Sequence, residues 1–206
     1  MKLTFLIMVL TSVTSTFAQN NNSDSTRMKK ILQEVSIKAI ELGDYNSELT
    51  KNQLDSLWIG YEPATELEIN SLENRLGIQL PEDYKDFVRI TNGFFAATSI
   101  EPSFCALERV DYLKNVDPEL YEIWISTGNV EVGNKLKTAI KIGGFDEEQY
   151  FFLIPPCKEN SNWEYWVFAA WAPGETVYHS LTEYFNNVLE TTSMFCDKKK
   201  STHNTK

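Results

Sequence analysis

Two consecutive helices, with their starts and stops written into the residues, constrain the fold of this chain more than any other stretch. Between Ala64 and Gly93 the sequence reads ATELEINSLENRLGIQLPEDYKDFVRITNG. Thr65 followed by Glu68 is a capping box: the hydroxyl accepts an early helix N–H and the carboxylate reaches back to the cap. Ile69, Leu72 and Leu76 then form one apolar stripe, and Gly77 supplies the left-handed residue that ends the helix. Pro81 restarts a helix where its missing N–H costs nothing, with Glu82 and Asp83 at the positive end of the dipole. Tyr84, Phe87 and Val88 give it a buried face, and Asn92-Gly93 stops it. None of these residues is suited to catalysis; their task is structural.

On either side the periodicity changes in a recognisable order. Met28, Ile31, Leu32, Val35, Ala39 and Leu42 recur at helical spacing before Gly43. Residues 44–63 read as a short helix and a loop. From Phe94 to Asn134 the pattern loosens, with a short strand or helical turn over Ala106–Leu113 and a helix over Pro118–Ile125. Strands then follow over Thr138–Gly143, Gln149–Ile154, Trp163–Ala170 and from Glu175 to Tyr178, separated by Gly- and Pro-bearing turns. Ser180 and Glu183 open a closing helix with the face Leu181, Tyr184, Phe185, Val188, Leu189. Hairpin-linked strands between helices predict an α+β single domain, an antiparallel sheet packed with amphipathic helices on one side.

At the N-terminus, MKLTFLIMVLTSVTSTFAQ has a lysine, a short apolar run and small residues at Thr16 and Ala18, the pattern of a signal peptide over residues 1–18. The run is too short to span a bilayer, so no membrane span is expected after cleavage, and the chain is expected to be exported, to the periplasm or beyond. Without a working leader it would be cytoplasmic. Residues 19–27 read as a polar spacer, 28–196 as the domain with its core motif over 54–191, and 197–206 as a flexible basic tail. Cys105, Cys157 and Cys196 lack zinc-type spacing, so no metal or cofactor is expected. One pair could bridge in an oxidising compartment; a domain this large does not need it, and Cys105 and Cys157 read more simply as small buried residues.

The ordered blocks resemble the SUKH superfamily, the Smi/Knr-type domain. Gly60 precedes Thr65, Glu68 and Ile69; Leu76-Gly77 and Pro81 follow, then Tyr84, Phe87 and Asn92-Gly93. Ile140–Gly143 before Tyr150–Leu153 is similar to the family's central hairpin, and Ser180–Tyr184 with Val188-Leu189 to its closing helix. The resemblance implies a binding role. Bacterial members are mainly immunity proteins that neutralise toxins, often nucleases, and eukaryotic relatives are cell-wall-signalling scaffolds. A secretory leader departs from the mostly cytoplasmic setting of the family.

Independently of any family, the chain offers little to an enzyme: it has no G-x-S-x-G elbow, P-loop or H-E-x-x-H. His179, in VYHS, lacks an evident nucleophile or orienting group, and a Cys157–His179 pair lacks a third member. The net charge of −10 argues against direct nucleic-acid binding and suits a basic protein partner such as a toxin with a phosphate-binding cleft. The carboxylates in the loose middle region and the hairpin turn are the expected contacts: Glu101, Asp111, Asp117, Glu119, Glu122, Asp146, Glu147 and Glu148. Trp163, Trp166 and Trp171 are possible anchors, although strand alternation assigns some of them to the core. An exported envelope scaffold is the alternative role.

Overall fold

The computed structural model describes residues 24–127, 130–157 and 161–203. The leader, residues 1–18, lies outside them. Helix α1 covers residues 24–42, so it begins inside the stretch read as a spacer. All six residues of its predicted stripe are buried, and Gly43, at φ 79°, closes it. Helix α2, Lys51–Ser56, has a capping box of its own between Thr50 and Gln53.

Helix α3, Glu66–Leu76, has the predicted box: Glu68 N–H donates to Thr65 Oγ1 at 3.3 Å and Thr65 N–H to Glu68 Oε2 at 2.7 Å. It buries Ile69, Leu72 and Leu76 and ends at Gly77 with φ 67°. Helix α4, Glu82–Ile90, starts one residue after Pro81 and buries Tyr84, Phe87 and Val88. Between the two helices, Glu73 is turned inward: Oε1 accepts the Leu80 N–H at 2.8 Å and lies 3.6 Å from Lys85 Nζ. That contact fixes the α3–α4 angle through a buried backbone group that would otherwise lack a partner.

Five strands form a meander in which each pairs antiparallel with the next: β1 Asp111–Tyr112, β2 Ile140–Gly143, β3 Gln149–Ile154, β4 Glu164–Ala169 and β5 Glu175–Tyr178. On one face Ile140, Ile142, Phe151, Leu153 and Tyr165 meet α1, α3, α4 and the closing helix α8, Leu181–His203. Phe87, Phe94, Phe104, Phe151, Tyr184 and Phe185 interlock there, the closest rings being Phe151 and Tyr184 at 4.6 Å between centroids. Asp83 joins three elements: Oδ1 accepts the Tyr165 hydroxyl at 2.5 Å and Oδ2 the Leu181 N–H at 3.1 Å, so α4 ties down β4 and the start of α8.

The one-sided sheet expected from the sequence is corrected here: both faces are covered. Phe152, Ile154, Trp166 and Phe168 point to the other side, where α5 Leu113–Val116, α6 Pro118–Thr127 and α7 Val130–Leu136 lie over them. Helix α7 fell in the stretch where no pattern was legible. On this face Lys141 is buried within β2, with Nζ 3.0 Å from Asp117 Oδ2. At the far end, α8 continues through residues 197–203, in the stretch read as a tail. There Lys200 pairs with Glu41 at 2.5 Å, and Lys199 donates to the Leu42 carbonyl. The Ser180 cap is half a box: its Oγ accepts the Glu183 N–H at 3.1 Å, while the Glu183 carboxylate takes the N–H of His179 instead.

Candidate functional site

A groove of about 630 Å³ opens beside the β2–β3 hairpin. Its floor comes from three isolated bridges, Gly60 to Phe94, Phe94 to Phe104 and Phe104 to Gly143, which extend the sheet with irregular chain. The Asn92-Gly93 helix stop has a second task here. Asn92 Oδ1 accepts the Leu107 N–H at 2.8 Å and holds one wall. Gly93, at φ 110°, would bring a Cβ within 3.2 Å of both the Tyr61 ring and the Phe104 carbonyl, so only glycine lets that ring lie against the chain. Gly143 is required on the same grounds, since a Cβ there would sit 2.6 Å from the Ser103 carbonyl.

Aromatic and charged groups line the opening. Tyr61 is 50% exposed, and Phe95 and Phe145 are half-buried. The Arg109 guanidinium lies 4.4 Å above the Phe145 ring and 3.4 Å from Asp146. Glu62 and Glu108 are exposed, with no ion-pair partner among the described residues. Glu147 accepts the Ser103 N–H at 3.0 Å. Tyr61, Glu62, Glu108, Arg109 and Phe145 escape a reading by periodicity, because they come together only when the irregular 94–109 chain folds against the hairpin. The Asn92-Gly93 pair and the predicted carboxylate Glu147 were the legible traces.

The eight predicted carboxylates divide into two kinds. Glu101 faces inward and accepts the Tyr184 hydroxyl at 2.9 Å; burial pushes its pKa up to about 7, against the opposing pull of that hydrogen bond. Asp111 pairs with Arg75 at 3.1 Å, and Asp117 pairs with Lys141 while its Oδ1 accepts the Leu120 N–H. Glu147 caps Ser103 as described. Glu119, Glu122 and Glu148 are exposed without an ion pair among the described residues, and Asp146 is exposed beside Arg109. Helix α6, PELYEIWIST, has no basic residue to offset its acids. Of the tryptophans, Trp166 is core, Trp163 is half-buried and Trp171 is 52% exposed.

Among the described residues, no contact joins Cys157 to His179. All three cysteines are free thiols. Cys157 is exposed, contrary to the buried position expected of it, because it follows Pro155-Pro156 outside the sheet. Its thiol makes a 3.8 Å contact with the Pro155 carbonyl, and His179 stands exposed after β5. Burial pushes the Cys105 thiol up to about 12, which keeps it protonated and weakly nucleophilic. Among the described residues no three His, Cys, Asp or Glu side chains cluster as a metal site, and no helix is long and apolar enough to cross a membrane.

Residues 63–187 match the profile of the SMI1/KNR4 family (SUKH-1). The chain belongs to that family. The match contains α3 to α7, the whole sheet and the first turns of α8, so it includes helices from both faces of the sheet and leaves α1 and α2 outside. No curated protein matches the chain.

Proposed function

We propose that this SUKH protein is a non-catalytic binding module that neutralises a bacterial toxin by covering a basic surface on it. The observation that supports the reading is its display of unpaired acid. Glu119 and Glu122 on α6, Glu148 on the hairpin, and Glu62 and Glu108 at the groove face solvent without an ion-pair partner among the described residues. By contrast, the buried Lys141 and Glu73 both have partners. Exposed carboxylates of this kind accelerate encounter with a positively charged partner and lie across its phosphate-binding cleft. Export by residues 1–18 would place the encounter in the envelope, where an incoming toxin is intercepted before it reaches the cytoplasm.

The test uses the chain from residue 19 onward and the toxin encoded beside its gene. The expected result is a complex of roughly nanomolar affinity, inhibition of the toxin, and an on-rate that falls with salt. A toxin that remains fully active at saturating protein, or turnover by the protein itself abolished by one side-chain change, overturns the proposal. The leader also favours a second reading, an exported scaffold of the cell envelope. Retention of the protein on purified envelope polymer, with no toxin bound, selects that reading.

A further inference from the structure

Three features of the groove beside the β2–β3 hairpin point to the same ligand chemistry. Its walls are aromatic: the exposed Tyr61 and the half-buried Phe95 and Phe145 line a space of about 630 Å³, and the Phe145 ring already carries Arg109 and, at 4.7 Å, the Lys141 ammonium, which leaves Tyr61 as the free ring. Its charge is negative: Glu62, Glu108 and Glu147 stand against the single guanidinium of Arg109, which is itself turned to Asp146. The fold also already seats one guanidinium on a groove ring, Arg109 on Phe145 at 4.4 Å. Planar cations favour aromatic faces flanked by carboxylates, where ring quadrupole and ion pair act together.

We propose that this groove receives an arginine-bearing extended segment of a protein partner, with one guanidinium between Tyr61 and the carboxylates of Glu62 and Glu108. The assignment rests on the reading of the chain as a binder of basic proteins and specifies which part of such a protein it grips. Arginine fits better than lysine, because its flat group can stack on Tyr61 and still donate two parallel hydrogen bonds to one carboxylate.

The probe is an acetylated, amidated hexa-arginine peptide, titrated calorimetrically into the protein from residue 19 onward, with hexa-lysine and a neutral glycine-serine peptide alongside. The expected result is binding of hexa-arginine, weaker binding of hexa-lysine and no binding of the neutral peptide. The double variant Glu62→Gln, Glu108→Gln is expected to bind hexa-arginine on the order of tenfold more weakly, and Tyr61→Ala several-fold more weakly. These side chains are exposed, so circular dichroism should show the fold unchanged. The pair Glu119→Gln, Glu122→Gln on α6 is expected to leave affinity within about twofold. No binding of hexa-arginine, or a loss as large from the α6 pair as from the groove pair, overturns the assignment. A toxin complex insensitive to the groove substitutions sinks this inference and spares the proposed function. Peptide binding here without toxin inhibition does the reverse.

Discussion

Glu101→Gln tests whether a carboxyl group tucked against Tyr184 is held in its neutral form. The rise from 4.5 to about 7 comes first from burial, and the Tyr184 hydrogen bond only partly offsets it. The folded state therefore binds this proton more tightly than the unfolded chain does. Its contribution to stability is complete below about pH 4.5 and is lost as pH climbs through about 7. At about 1.4 kcal/mol per tenfold change in proton affinity, the loss approaches about 3 kcal/mol. Partial exposure of the residue makes that an upper figure. Glutamine keeps an oxygen that can accept the Tyr184 hydroxyl but has no charge to desolvate. Urea unfolding of both proteins at about pH 4.5 and about pH 8 is the assay. Subtracting one protein from the other removes the opposite slope of carboxyls held low by partners, such as Glu66 beside Arg89 and Glu68 at the Thr65 cap. The variant should match the parent in acid and exceed it by roughly 2–3 kcal/mol at the higher pH. A stability difference that is the same at both pH values refutes the reasoning.

Other substitutions probe other joints. Asp83→Ala removes the acceptor shared by Tyr165 and Leu181 and should cost about 2–4 kcal/mol in denaturant unfolding, with faster amide exchange at the start of α8. Asp117→Ala leaves the Lys141 ammonium buried without its counter-charge; a loss of roughly 3 kcal/mol is expected, and Asp117→Ala with Lys141→Met should recover most of it. Gly144→Ala would place a Cβ 1.9 Å from the Gln149 carbonyl at a φ of 70°, so the hairpin must deform and the thermal midpoint should fall by several degrees. Of the three thiols, Cys157 should react fastest with a thiol reagent in the native protein, the half-buried Cys105 far more slowly because its thiol stays protonated, and Cys196 only on unfolding; native labelling of Cys105 as fast as that of Cys157 would contradict its raised pKa.

The legible parts of the sequence are those whose signals are local. Thr65, Glu68, Gly77 and Pro81 act within a turn of where they stand, and α3 and α4 appear where those residues place them. Strands β3 and β5 coincide with their predicted spans for the same reason: turn residues bracket them. The helix predicted over Pro118–Ile125 is present as α6, but its place over the second face of the sheet was missed, although β3 hinted at it. In QYFFLI both Phe151 and Phe152 are buried, and a continuous apolar run is the mark of a strand covered on both sides. Helix α7, VEVGNKL, is too short, and broken by Gly133, to announce itself. For the candidate site the sequence supplied charge but not placement. Glu101 and Glu119 look alike on the page; one lies against Tyr184 and the other in water.

Because β2, β3 and β4 stand between two separate apolar clusters, the sheet works as a partition. Rebuilding the α5–α7 roof, by lengthening a helix or exchanging its acids, would leave the motif-bearing floor at Tyr84, Phe87 and Phe104 in its own packing. A lineage could thus refashion one storey of the molecule for successive partners while the other continues to direct folding.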